Sequence, residues 1–127
     1  GDAKLIKNAG GLVISPFDSA MRSLLVAIYE LDVREIMVIA HTECGACHMS
    51  FEAFREHILA RGIDEKTLET IQHCGIDLNK WLEGFHDTAS SVRQTVDTIR
   101  RHPLVPTDVI VRGFIINSVT GQLEECR

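Results

Sequence analysis

The sequence predicts an α/β fold, in which helices flank an open, parallel-centred β-sheet. Two short apolar stretches, residues 3–7 and 36–40, lie on either side of a longer segment whose apolar residues recur every three or four positions. Strand, helix and strand in this order form a βαβ unit, and its two strands run parallel. The length of 127 residues suits one domain, which we expect to span residues 1–127.

The first elements begin and end at recognisable signals. Residues 3–7 predict a strand that stops at the glycine turn Asn8-Ala9-Gly10-Gly11. Ser15-Pro16-Phe17-Asp18 predicts a helix start, with Ser15 as the cap and Pro16 in the first turn. We expect this helix over residues 15–31, with a buried stripe formed by Phe17, Ala20, Leu24, Ile28 and Leu31. The uniformly apolar residues 36–40 predict a strand that is covered on both faces.

The second half of the chain predicts four more helical segments and two strands. A helix from Ala46 carries Cys47, Phe51, Phe54 and Ile58 on one face, and shorter helices follow over residues 64–73 and 78–85. A clearer helix over residues 88–101 is stopped by His102-Pro103. Residues 109–116 predict the third strand, and Thr120-Gly121 turns the chain into a short terminal strand over 122–125.

Two loops that are distant in sequence are expected to meet. Because the two N-terminal strands run parallel, the loops that follow them, residues 8–11 and 41–45, open on the same edge of the sheet. Open α/β sheets bind their ligands at that edge. The sequence therefore predicts one pocket formed by both loops.

The composition argues against several classes of partner. The net charge is −5 and Lys and Arg do not cluster, so we expect no binding to nucleic acid or to an anionic membrane. No apolar run approaches the roughly 20 residues of a membrane span, and a small-molecule partner is the better prediction. The four cysteines are irregularly spaced, which favours reduced thiols or metal ligands in the cytoplasm over a disulfide framework.

The segment HTECGACH, residues 41–48, carries the strongest chemical signal. Two residues separate His41 from Cys44 on a strand-to-helix turn, which suits two ligands of a tetrahedral zinc ion. Cys47 is the nearest third ligand, but it shares the apolar helix face, so a buried core position is the simpler interpretation. The stretch from Cys44 to His48 also matches the motif that attaches a c-type haem, and Cys44 with Cys47 matches the spacing of a dithiol. Both kinds of site need exposed thiols.

The remaining thiols and imidazoles have simpler explanations. Cys74 and Cys126 are interpreted as structural thiols. Four further histidines are predicted at the surface or at helix ends, namely His57, His73, His86 and His102.

Several blocks together resemble the β-class carbonic anhydrases, especially the short prokaryotic type. They are Gly1-Asp2-Ala3, Asn8-Ala9-Gly10-Gly11, His41-Thr42-Glu43-Cys44-Gly45 and the closing stretch from Ile99 to Phe114. The resemblance implies that His41 and Cys44 are two of the zinc ligands. It also implies that Asn8, Ala9, Gly10, Gly11 and the Gly45 backbone line the substrate pocket, where glycines permit close approach. The implied activity is the reversible hydration of carbon dioxide to bicarbonate by a zinc-bound hydroxide.

One motif of that family is absent from these 127 residues. The family takes its third zinc ligand from a Cys-x-Asp-x-Arg motif on its first strand, and the Asp and Arg orient the catalytic water. The family places this motif upstream of the block matching Gly1-Asp2-Ala3, so we expect a chain without that strand. No catalytic residue is therefore assigned here. A strand missing from the sheet would expose an edge, which favours a homodimer or a higher homo-oligomer.

Two alternatives stay open. A related enzyme would use the same zinc chemistry on carbon disulfide or carbonyl sulfide. A member without part of its zinc site would be non-catalytic.

Overall fold

The computed structural model describes residues 2–127, so Gly1 of the Gly1-Asp2-Ala3 block lies outside the described residues. The helices are α1 (Ser19–Leu31), α2 (Phe51–Ala60), α3 (Glu65–His73), α4 (Leu78–Leu82) and α5 (Thr88–Arg100), and the strands are β1 (Glu35–His41), β2 (Ile110–Ile116) and β3 (Leu123–Cys126). The chain forms two compact units, Gly1–Cys44 with Asp87–Arg127, and Gly45–His86. The single domain over residues 1–127 stays a prediction.

The first unit contains a three-stranded sheet in the order β1-β2-β3. β1 runs parallel to β2, from Glu35 opposite Ile110 to His41 opposite Ile116, and β3 runs antiparallel to β2. Helix α5 packs against this sheet, and its Val92, Val96 and Ile99 join the buried side chains of β1 in one core. The α/β prediction is thus confirmed, and the described sheet contains one parallel and one antiparallel pair of strands.

The predicted strand over residues 3–7 is wrong. Residues 2–8 have no regular secondary structure, and Leu5 is 77% exposed. A strand needs hydrogen bonds from a neighbouring strand, which an apolar composition does not supply by itself. Within residues 2–127 no strand pairs with this segment. The parallel pair therefore forms between β1 and β2, and not within the predicted N-terminal βαβ unit.

Strand β1 is buried on one face, in contrast to the predicted cover on both faces. Ile36, Val38 and Ala40 are buried, whereas Met37 and Ile39 are 46% and 45% exposed. β1 is an edge strand of the described sheet, so nothing in that sheet pairs with its outer edge. A groove of about 730 Å³ runs along it and is bounded on the other side by the N-terminal segment and α1.

The groove also explains why the predicted stripe of α1 is partly wrong. Ile28 is buried, and Ala20, Leu24 and Leu31 line the groove. Phe17 precedes the helix and is 79% exposed. Met21, which the spacing did not include, is fully buried.

Helix α1 begins at Ser19 and not at Ser15, because Asp18 is the better cap. The Asp18 carboxylate accepts hydrogen bonds from the backbone N–H groups of Met21, at 2.8 Å, and of Ile14, at 2.7 Å. One ionised side chain thus satisfies a free donor of the helix and a donor of the preceding turn.

The second unit contains a 3₁₀ turn, Gly45–His48, followed by α2, α3 and α4. The helix predicted from Ala46 begins instead at Phe51, because the Ser50 hydroxyl caps it through the N–H of Ala53. The short helices predicted over residues 64–73 and 78–85 are present as α3 and α4.

Gly84 makes a close backbone approach within this second unit. Its N–H donates to the Met49 carbonyl at 2.9 Å, and a Cβ at this position would lie 1.9 Å from the Ala46 carbonyl oxygen. We expect Gly84→Ala to lower the free energy of unfolding by about 1–3 kcal/mol, because backbone must move to admit the methyl group. Gly45→Ala is the matched control, since no atom lies within 4 Å of its Cβ position. Equal urea midpoints for the two variants would contradict this expectation.

Helix α5 has a charged cap that gives its stability a pH dependence. The Asp87 carboxylate accepts hydrogen bonds from the hydroxyl and the N–H of Ser90, at 2.7 and 3.2 Å. These bonds hold the pKa of Asp87 below its usual value. Because the pKa of Asp87 is lower in the folded state than in the unfolded state, its ionised carboxylate stabilises the fold at pH values above the unfolded-state pKa of about 3.9. This contribution is lost as the pH falls through the folded-state pKa.

The comparison of wild type with Asp87→Asn isolates that contribution. We expect the wild type to be the more stable protein in urea at pH 6, and the difference to shrink as the pH is lowered to 3, because asparagine does not titrate. A difference that is unchanged between these two pH values would show that the Asp87 charge does not stabilise α5.

None of the helices within residues 2–127 has the length and apolar character needed to cross a lipid bilayer.

Candidate metal centre

The centre is built on the turn that follows β1. His41 is the last residue of the strand and is exposed, whereas Cys44 is buried at 6% exposure. Between them Glu43 has a φ of 56°, in the left-handed region, which reverses the chain within two residues. An exposed imidazole and a buried thiol thus lie on one tight turn at the carboxyl end of β1.

A hydrogen bond fixes the tautomer of His41. Its Nδ1 lies 2.9 Å from the carbonyl oxygen of Thr42. Because a carbonyl oxygen only accepts, the neutral imidazole must carry its proton on Nδ1 to make this bond. Nε2 then has a free lone pair. Metal-binding histidines use this arrangement, in which the second ring nitrogen donates to a carbonyl or carboxylate.

Thr42 is in turn held by the end of β2. Its N–H donates to the Ile116 carbonyl at 3.0 Å, and its hydroxyl oxygen accepts the N–H of Ser118 at 3.0 Å. The two hydroxyl oxygens of Thr42 and Ser118 are also 3.0 Å apart. The sequence did not single out either residue. The available signal was that polar residues follow two parallel strands, whose ends meet at one edge of a sheet.

The loop of residues 8–11 also lies against β1. A Cβ on Gly11 would be 3.2 Å from the Ile39 carbonyl oxygen, two residues before His41. Gly10 and Gly11 have φ values of 86° and 64°, which favour glycine. The Asn8 amide bonds the backbone of Leu12, with its Oδ1 accepting at 2.9 Å and its Nδ2 donating at 2.6 Å. Asn8 and its neighbour Ala9 are exposed.

The other predicted residues take the following places. Gly45 begins the 3₁₀ turn of the second unit, and open space surrounds its Cβ position. The Cys47 thiol donates to the His86 carbonyl at 3.7 Å, within that same unit, and His48 is exposed. Burial raises the pKa of the Cys126 thiol, which keeps it protonated and supports a structural role. His102 is the exception among the histidines, because it is buried at 3% exposure.

The donor types on this turn fit zinc, but their number is incomplete. An imidazole nitrogen and a thiolate are both ordinary zinc ligands, and catalytic zinc takes three protein ligands. Within residues 2–127 no third His, Cys, Asp or Glu side chain joins them in a metal-binding group. Residues 2–127 therefore contain two donors of suitable type on this turn, and no complete metal site.

Comparison with known proteins identifies the family of the whole chain. A family model described as carbonic anhydrase matches residues 1–125. The chain belongs to the β-carbonic anhydrase family. The β-carbonic anhydrase isoform I of Trichomonas vaginalis superposes with a TM-score of 0.86 at 32% identity, over 95% of this chain and 65% of that one.

Two relatives that are similar in sequence are named for different reactions. YtiB of Bacillus subtilis is 47% identical over 98% of this chain and 66% of its own length, and its name as a carbonic anhydrase is provisional. A carbon disulfide hydrolase of Acidithiobacillus thiooxidans is 32% identical over 97% of this chain and 63% of its own length. The chain thus spans slightly less than two thirds of the length of these two relatives.

Proposed function

We propose that this chain is part of a zinc-dependent carbonate dehydratase, which catalyses the reversible hydration of carbon dioxide to bicarbonate. The observation that carries the proposal is the turn after β1, where His41 has its Nδ1 engaged by Thr42 and its Nε2 free, three residues before the buried Cys44. Family membership supports the same activity.

Each group in the turn has a defined task in this proposal. His41 Nε2 and the Cys44 thiolate would hold the zinc ion, together with a protein ligand that residues 2–127 do not supply. When zinc is bound, it supplies the Lewis acidity that lowers the pKa of water to about 7. The Thr42 carbonyl keeps the imidazole in the tautomer that binds metal.

The substrate side of the proposed site is formed by small residues and backbone. Carbon dioxide is small and uncharged, so it needs a pocket that admits it close to the metal. We assign Asn8, Ala9, Gly10, Gly11 and Gly45 to that pocket. Gly11 approaches the β1 backbone closely, and the Asn8 amide shapes the loop through its two hydrogen bonds to the Leu12 backbone.

Two measurements on the purified protein test this function. Elemental analysis should find zinc bound to the protein, and stopped-flow assays should find carbon dioxide hydration above the rate in buffer. Removal of zinc with a chelator should abolish the hydration, and added Zn²⁺ should restore it. A zinc-loaded protein with no rate above buffer would contradict the proposal, and would favour the non-catalytic alternative.

A second substrate class is carbon disulfide or carbonyl sulfide. The relative from Acidithiobacillus thiooxidans is named for the hydrolysis of carbon disulfide. All three molecules are linear and have an electrophilic carbon, so the same site chemistry would serve each of them. Parallel assays with the three substrates decide between the classes, and a preference for carbon disulfide would replace the carbonate dehydratase assignment.

The exposed edge of β1 supports a homodimer or a higher homo-oligomer. Met37 and Ile39 are about half exposed on this edge strand, and apolar surface of that kind favours association with another copy. The four cysteines are unpaired, which agrees with a cytoplasmic setting for the proposed enzyme. Sedimentation of the purified protein should show a species of at least twice the mass of its monomer.

A further inference from the structure

Thr42 and Ser118 form a hydroxyl pair that joins the turn after β1 to the end of β2. Thr42 makes three contacts to residues 116–118, through its N–H and its hydroxyl oxygen, each at 3.0 Å. These contacts use the backbone and the side chain of the same residue. They therefore restrict both the position of Thr42 and the direction of its carbonyl group.

That carbonyl is the group that accepts the proton of His41 Nδ1. His41 is exposed, so water competes for each of its ring nitrogens. Free histidine in water favours the form with its proton on Nε2. A carbonyl that is already held in a fixed direction favours the other tautomer, with the proton on Nδ1. The hydrogen bond from Nδ1 then forms without the entropic cost of ordering the carbonyl.

We infer that Thr42 is a positioning residue, which sets the tautomer of His41 through its clamp on Ser118 and so prepares Nε2 for a metal ion. The inference rests on the proposed function only for its last step, the binding of zinc. The tautomer itself is a property of the metal-free chain. It is therefore measurable whether or not the protein hydrates carbon dioxide.

The variants that isolate the clamp differ by single atoms or groups. Thr42→Val keeps the shape of the side chain and removes the hydroxyl that Ser118 contacts. Thr42→Ser keeps the hydroxyl, and Ser118→Ala removes only the hydroxyl of the partner. Thr98→Val is the matched control, because its hydroxyl bonds the Gln94 carbonyl within α5.

Long-range ¹H–¹⁵N correlation spectra of the metal-free protein report which imidazole nitrogen carries the proton. At a pH of about 8.5, where an ordinary imidazole is neutral, we expect His41 to be in the Nδ1–H form in wild type, Thr42→Ser and Thr98→Val. We expect the Nε2–H form to become the major one in Thr42→Val and to gain population in Ser118→Ala. An Nε2–H form in wild type, or an unchanged Nδ1–H form in Thr42→Val, would overturn the inference.

A titration with Zn²⁺ separates this inference from the proposed function. Loss of an orienting partner of a metal ligand costs about 10- to 100-fold in metal affinity. We expect that loss in Thr42→Val and recovery in Thr42→Ser, measured by competition with a chromophoric chelator. A wild type with the expected tautomer but no zinc binding would contradict the proposed function and leave the positioning role of Thr42 supported. Wild-type zinc affinity in Thr42→Val would overturn the positioning role.

Discussion

Replacement of His41 by alanine is expected to lower the rate of carbon dioxide hydration by at least about 100-fold, because even the orienting partner of a metal ligand is worth 10- to 100-fold. The variant loses Nε2 of His41, one of the two donors that we propose for zinc. Zinc bound to the protein should fall together with the rate. The fold should remain, since His41 is exposed at the end of β1.

His48→Ala is the matched control for that variant. His48 is also an exposed imidazole, seven positions further along the same segment, and it has no assigned part in the site. We expect it to retain the wild-type rate and zinc content. A His41→Ala protein that keeps zinc and hydrates carbon dioxide within threefold of wild type would remove His41 from the metal site.

The largest loss of stability is expected from His102→Ala, about 3–5 kcal/mol. His102 is buried, its Nε2–H donates to the Pro16 carbonyl at 2.7 Å, and its Nδ1 accepts the N–H of Leu104 at 3.1 Å. Truncation of a large buried ring to alanine costs about 3–5 kcal/mol, and two part-buried backbone groups, the Pro16 carbonyl and the Leu104 N–H, also lose their partner. The ring of Phe17, 5.1 Å away, also loses its contact.

His73→Ala provides the comparison, because His73 ends a helix but is exposed. We expect its free energy of unfolding in urea to lie within about 0.5 kcal/mol of wild type. Should His102→Ala unfold at the wild-type urea concentration, the two hydrogen bonds of the imidazole would not stabilise the fold.

Sequence patterns predicted the elements whose signals are local. Helix α5 has apolar residues at regular spacing and ends before the stop signal His102-Pro103, and β2 is rich in β-branched residues. The predicted ends of both elements therefore lie within one or two residues of the observed ones. The segment of residues 3–7 has a similar apolar composition but no partner strand within residues 2–127. Pairing is a property of the whole sheet, and a local pattern does not report it.

The same distinction between local signals and long-range contacts applies to the candidate site. His41 and Cys44 could be predicted as zinc ligands because they lie close together in sequence on one turn, and this assignment stays a prediction. The clamp of Thr42 by Ser118 joins residues 76 positions apart, and the two bonds of His102 include one to a residue 86 positions away. Nothing in the spacing of either segment indicates the contact. The contact of Thr42 with Ser118 becomes visible only when the parallel pairing of β1 and β2 is known.

That pairing also has a consequence for synthesis of the chain. β1 ends at His41 and its partner β2 ends at Ile116, so the sheet cannot close until roughly 75 further residues have been made. At 5–20 residues per second this takes roughly 4 to 15 s. During that interval β1 lacks its partner β2, and apolar surface that is exposed while a chain folds favours aggregation or chaperone binding. The order of translation therefore exposes the strand that positions His41 for longer than any other part of the described sheet.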